Sequence, residues 1–156
     1  MSSMIETITG SSDGLAAAAQ LLHDFNLEYD EPSPPPEEIA ARLAQLIEQD
    51  QVVVLVARAD GEPVGVAAMR VQPSLWSEAS EAYLAELYVV PDRRGQGFGR
   101  ELITEAIRVA RDRGADYAFL ITSEDDQLAQ RLYEAAGFRR TEGEGGPLML
   151  AYEQDL

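Results

Sequence analysis

The chain has 156 residues, a length that suits a single domain with a real core. Its 28 acidic residues outnumber 12 cations for a net charge of −16, and every cation is arginine. The missing lysine excludes Schiff-base catalysis and a Walker-type phosphate loop, and the missing cysteine excludes disulfides, thiolate nucleophiles and cysteine-based zinc sites.

A composition of 46% hydrophobic and 26% charged residues belongs to a globular protein. Residues 4–9 alternate apolar and polar and predict a short strand. Residues 13–29 place Leu15, Ala18, Leu22 and Phe25 at helical spacing, and the proline cluster Pro32-Ser33-Pro34-Pro35-Pro36 ends that helix. A second helix opens at Pro36-Glu37-Glu38, with proline in its first turn and acids at the positive dipole end, and runs to about Gln49. Residues 52–57 and 64–71 predict a hairpin turning at Asp60-Gly61. A polar loop with the only tryptophan, Trp76, leads to a strand over 82–90 stopped by Pro91-Asp92. Helix and strand then alternate: a helix over 97–113 ending at Gly114, a strand over 117–122, a helix over 126–136 closed by Gly137, and strands over 138–141 and 147–153. The expected order is β-α-α-β-β-β-α-β-α-β-β, a mixed α/β sheet in one domain with helices on its faces.

The first ten residues lack a basic region and an apolar run, and no stretch stays apolar over the roughly 20 residues a spanning helix needs. The simplest reading is a soluble cytoplasmic protein without a membrane partner. So acidic a chain also repels a nucleic-acid backbone.

The sharpest motif is Leu87-Tyr88-Val89-Val90-Pro91-Asp92-Arg93-Arg94-Gly95-Gln96-Gly97-Phe98-Gly99-Arg100. A strand runs into a turn with three alternating glycines, and a helix follows at once. Backbone N–H groups at a helix start have no internal partner, and the dipole adds positive potential. Glycines let a diphosphate lie close against those groups, and Arg93, Arg94 and Arg100 are the densest cations in the chain. A tight strand-to-helix turn with no ligand is the plainer alternative. A dinucleotide-binding reading fares worse, because Gly95-x-Gly97-x-x-Arg100 lacks a third glycine and the loop follows a hairpin in mid-chain.

Arg94-x-x-Gly97-x-Gly99 resembles the acyl-coenzyme A pyrophosphate motif of the GCN5-related N-acetyltransferase (GNAT) superfamily, and the element order is similar to that fold from end to end. Ala129-x-x-Leu132-Tyr133-Glu134-x-x-Gly137-Phe138 looks like the helix and strand that close the family's active site. The resemblance implies a mostly antiparallel sheet of about seven strands, acetyl-CoA as donor and a primary amine as acceptor, with no metal. It implies that the backbone of Gly95, Gln96, Gly97, Phe98, Gly99 and Arg100 holds the pyrophosphate beside Arg94. By the same resemblance the main chain of Leu87, Tyr88 and Val89 pairs with the pantetheine arm, in a wedge between the fourth and fifth strands where the Val89 N–H polarises the thioester carbonyl.

Tyr133 is the candidate general acid, protonating the departing thiolate; a packed helix residue with a wet hydroxyl is the alternative. Glu86 is the candidate base, set mid-strand on the face of Tyr88 and Val90, and a solvated or ion-paired residue is its alternative. At Asp126 the family often has an asparagine that bonds the pantetheine arm; aspartate accepts but does not donate, and a helix cap explains it more simply. His23, the only histidine, receives no role.

Residues 1–50 hold ten acids and one arginine, 51–100 hold six and five, and 101–156 hold twelve and six. In the family the first helices and the final hairpin frame the acceptor. A cationic acceptor is therefore expected, a small molecule or a basic peptide N-terminus, with Trp76 and Tyr83 as cation–π surface. A non-catalytic acyl-CoA sensor is the competing class. A homodimer is compatible with the family, and no residue of the sequence speaks to it.

Overall fold

The computed structural model describes residues 2–10 and 13–156. Its elements are β1 (Ser3–Thr7), α1 (Gly14–Glu28), α2 (Pro36–Glu48), β2 (Val53–Ala59), β3 (Glu62–Pro73), β4 (Ser80–Val89), a 3-10 turn at Pro91–Arg93, α3 (Phe98–Asp112), β5 (Ala115–Phe119) and α4 (Gln127–Ala135). The five strands make one mixed sheet in the order β1-β2-β3-β4-β5, antiparallel except for the parallel pair β4–β5. A parallel neighbour needs a crossover connection, which α3 supplies.

The apolar run of β2 follows from burial on both faces. Val53, Leu55, Ala57 and Ala59 pack toward α3, against Phe98, Leu102, Ile103 and Ala106. Val54 and Val56 point the other way, onto Ala18 and Leu21 of α1 and Leu43 of α2. Asp60 and Gly61, with φ of 50° and 85°, turn the chain into β3 in the type I′ geometry that matches strand twist.

The fourth strand carries the irregularity that makes a site. Met69 lies opposite Leu84 but Ala68 lies opposite Glu86, so Ala85 is an extra residue, a β-bulge. The bulge lets Leu84 and Leu87, three residues apart, both face α3, while Tyr88 packs on the α1 side. Alternation puts Glu86 on the face of Tyr88. Pairing with β5 ends at Tyr83 opposite Phe119, whereas β4 runs on to Val89. Beyond that point the sheet is split.

The first nine expected elements are present, but the sheet has five strands and not about seven. Among the described residues, 138–153 form no strand. Their pairing is one bridge, Thr141 with Leu148, flanked by Glu142 N–H to Pro147 O and Met149 N–H to Arg140 O, both at 2.9 Å. The cause is the lack of a neighbour. An isolated two-stranded hairpin is marginal in water, and no described residue after Ala110 is buried, so nothing pins the alternation of this segment to a core.

Candidate active site

The loop after β4 places its donors through backbone conformation. Gly95 and Gly97 have φ of 76° and 95°, a region that side chains rarely adopt, and a Cβ at either would meet nothing within 4 Å. Gly97 is the left-handed cap of α3, with no side chain capping the helix, and its carbonyl takes the first helical bond, from Glu101 N–H at 3.0 Å. The N–H groups of Phe98, Gly99 and Arg100 therefore have no partner one turn earlier. Among the described residues those of Gly95, Gln96 and Gly97 donate to no protein acceptor either. The Phe98 side chain, 2% exposed, anchors this end of α3 in the core and aims the amides outward. An open cradle of amides without Cβ atoms fits the oxygens of a diphosphate.

The arginines beside it divide their work. Arg94 turns inward: its Nε donates to the Val89 carbonyl and its Nη2 to both carboxylate oxygens of Glu28, all at 2.9 Å. Its guanidinium lies 5.6 Å from the Tyr88 ring centre, and the Tyr88 hydroxyl donates to the same Glu28 at 3.1 Å. Phe25 of α1 stacks on Tyr88 at 5.0 Å. Burial, and then the Glu28 carboxylate, push the Tyr88 phenol up to about 12. Arg94 thus ties the loop to β4 and to the end of α1. Arg100 is exposed beside a surface groove shared with Ser3, Ile5 and Glu101.

The split exposes main chain. Val90 N–H donates to Val64 O at 2.9 Å, so Val90, and by alternation Tyr88 and Glu86, bond to β3. Leu87 and Val89 then turn their peptide groups into the split, where the Val89 carbonyl already accepts from Arg94. Tyr88 serves through its side chain.

Two titratable groups flank this strand on opposite faces. Tyr133 of α4 is half-buried with the α3-side cluster, its ring edge-on to Phe138 at 6.2 Å. Its hydroxyl has no protein partner among the described residues and is open to solvent. Burial, with Asp126 adding to it, pushes this phenol up to about 12. Its neighbour Leu132 packs where a Cβ on Gly99 would come within 3.0 Å, which fixes α4 beside the loop. Glu86 is exposed, yet desolvation by surrounding protein raises its carboxyl above the ordinary value, with Arg70 opposing. Asp126 caps α4, accepting the Ala129 N–H at 3.1 Å. His23 bonds Ser33 and Pro34 through Nδ1, fastening α1 to the proline loop.

Sequence reasoning missed Glu28 and Arg70. Glu28 lies 66 residues from Arg94, and nothing local in an amphipathic helix marks so distant a partner. Arg70 could have been found by extending strand alternation across the hairpin.

Comparison with known proteins agrees with this geometry. Residues 18–138 match the model of the acetyltransferase (GNAT) family. An uncharacterized N-acetyltransferase of Archaeoglobus fulgidus is 33% identical over 101 residues, 64% of this chain and 69% of that protein. A thialysine N-epsilon-acetyltransferase of Bos taurus is 34% identical over 60% of this chain and 58% of its own. A solved structure from Arthrobacter sp. FB24 superimposes with a TM-score of 0.87 at 37% identity, over 98% of this chain and 96% of that one. With its split sheet and amide-lined loop, the chain belongs to the GNAT acetyltransferase family.

Proposed function

We propose that the protein transfers an acetyl group from acetyl-CoA to the primary amine of a small cationic acceptor, by direct attack in a ternary complex. The observation that carries this reading is the split beside β4. It offers the peptide groups of Leu87 and the N–H of Val89, leads to the amide cradle at Gly95–Arg100, and has Tyr133 on one face and Glu86 on the other.

Acetyl-CoA supplies the acyl group as a thioester, activated toward amines. The amides of Gly95 to Arg100 hold its pyrophosphate, and Leu87 and Val89 pair with its pantetheine as an added strand would. The Val89 N–H donates to the carbonyl oxygen, where negative charge grows during attack. Glu86 takes the proton released by the attacking amine, a role its raised pKa suits. Tyr133, neutral up to about pH 12, gives its proton to the sulfur as the carbon–sulfur bond breaks. One proton reaches Glu86 and one leaves Tyr133, and exchange with solvent restores both.

Charge and aromatic surface support a cationic acceptor. The first 50 residues carry ten acids against one arginine. Tyr83, brought to the face of Glu86 by the bulge at Ala85, stacks on Phe119 at 4.8 Å with planes 5° apart, a ring surface that attracts a cation. The name of the Bos taurus relative specifies an ε-amine. Coenzyme A release across cationic, neutral and acidic amines tests the reading. Preference for an acidic acceptor overturns the acceptor class, and acetyl-CoA binding without turnover on any amine overturns catalysis.

A further inference from the structure

Glu86 has a neighbour that works against it. Helices α1 and α2 cover one face of the sheet, and that cover reaches Ala68 of β3, the residue opposite Glu86. Two residues further along β3, on the same face, stands Arg70, directly opposite Tyr83. Arg70 is exposed, and among the described residues no ion pair holds its guanidinium. For an acceptor that is only a cation, such a group is adverse twice. It lowers the Glu86 carboxyl against the desolvation that raises it, and it repels the incoming amine. The arrangement becomes useful when the acceptor brings an anionic group of its own. A guanidinium takes a carboxylate through two parallel hydrogen bonds, which fix its orientation as well as its charge.

The spacing narrows the acceptor further. Tyr83, across from Arg70, stacks on Phe119 and offers a ring face to an ammonium, and Glu81 is the next side chain beyond it on that face. Residues paired across antiparallel strands lie about 4.5–5.5 Å apart, so an anion site and a cation site adjoin, as the carboxylate and ammonium on one α-carbon do. From the Arg70–Tyr83 pair to the Ala68–Glu86 pair is two strand steps, about 6.6 Å, the span of a side chain of roughly three or four methylenes ending in an amine.

We infer that the acceptor is a free diamino acid, a conclusion that rests on the transfer proposed above. Its carboxylate lies on Arg70, its α-ammonium on the Tyr83–Phe119 rings, and its side-chain amine at Glu86 in the split. Arg70 is then a specificity-determining residue. The side-chain nitrogen bonds to the acetyl carbon as the carbon–sulfur bond breaks. Glu86 takes a proton from that nitrogen and Tyr133 gives one to the sulfur, so the products are an acetylated diamino acid and coenzyme A. Such an acceptor keeps a net positive charge, which suits the ten acids against one arginine of residues 1–50.

Binding and turnover are read separately. Calorimetry on the protein saturated with coenzyme A compares lysine and ornithine with cadaverine, which is lysine without its carboxylate, and with lysinamide, whose carboxylate is an amide. The better of the two diamino acids is expected to bind about 10- to 100-fold tighter than cadaverine or lysinamide, the range of charge-assisted hydrogen bonds. Arg70→Gln is expected to erase that preference without weakening cadaverine, and Arg70→Lys to restore part of it. On the plateau above the Glu86 limb, Arg70→Gln should raise KM for the diamino acid with little change in kcat. Equal binding of the diamino acids and cadaverine by the parent overturns the inference, and so do equal losses for both in Arg70→Gln or no binding of either diamino acid at millimolar concentration. Turnover of cadaverine without preference for a diamino acid overturns it while leaving the transfer standing. A diamino acid held through Arg70 with no coenzyme A released overturns the transfer instead, and the binding site stands.

Discussion

Replacing Tyr133 with phenylalanine separates chemistry from packing. Among the described residues the hydroxyl has no protein partner, so its removal leaves no buried group orphaned, and the ring keeps its contact with Phe138. Stability should change by no more than about 0.5 kcal/mol. A general acid contributes about 10²- to 10⁴-fold, so kcat should fall by that factor, about 2.7–5.4 kcal/mol of transition-state stabilisation. The assay is thiol release at saturating acetyl-CoA and the best amine of the panel, beside a thermal melt. The pH dependence carries a second signature. Because burial raises the phenol from 10.0 to about 12, the folded protein keeps this proton where the unfolded chain has lost it. The stabilisation is fully present below pH 10 and is lost as pH rises toward 12, on the order of 3 kcal/mol for two units. Tyr133→Phe should flatten that part of the alkaline decline. A kcat within threefold of the parent, or a loss of kcat matched by a loss of fold, refutes the assignment.

For Glu86 the signature lies at acid pH. As base it must be ionised, so kcat/KM should rise with pH through a midpoint raised from the ordinary glutamate value; Glu86→Gln should abolish that limb, and Arg70→Leu should move it to higher pH. Gly97→Ala forces a side chain to φ of 95° with no neighbour to clash, so only backbone strain of about 1–3 kcal/mol is added, and KM for acetyl-CoA should rise more than kcat falls. Leu102→Ala empties a site of 0% exposure beneath the sheet and should cost about 2–5 kcal/mol, read as a melting temperature lower by roughly 10 °C.

What was legible in the sequence divides by range of interaction. The Asp60-Gly61 turn, the cap at Asp126 and the left-handed glycines of the loop are local, and residue type alone predicts them. The core stripe of α3, with Phe98, Leu102, Ala106 and Val109 buried, follows from helical period. The bulge at Ala85 was not readable, because nothing in Leu84-Ala85-Glu86 marks an extra residue until β3 is laid beside it. The last two strands were over-read for a related reason. Residues 147–153 have strand character, but a strand exists only where a neighbour pairs along its length, and among the described residues the pairing of this segment stops at Met149.

The arginine cluster changes the electrostatic argument most. Three guanidinium groups beside three glycines suggest side-chain charge as the hold on phosphate. Yet the charge of Arg94 is met by Glu28, and its Nε is spent on the Val89 carbonyl. Positive potential at the cradle then rests more on the oriented amides of a helix start, whose partial charges are fixed by the backbone and carry no side-chain freedom to lose. Arg94 acts earlier in the chain of cause, by holding the loop against β4 and the end of α1 so that those amides converge. A Glu28→Gln variant distinguishes the two roles. If Arg94 positions the loop, freeing it weakens acetyl-CoA binding although a cation has been released near the site; if its charge were the ligand, the same change would tighten binding.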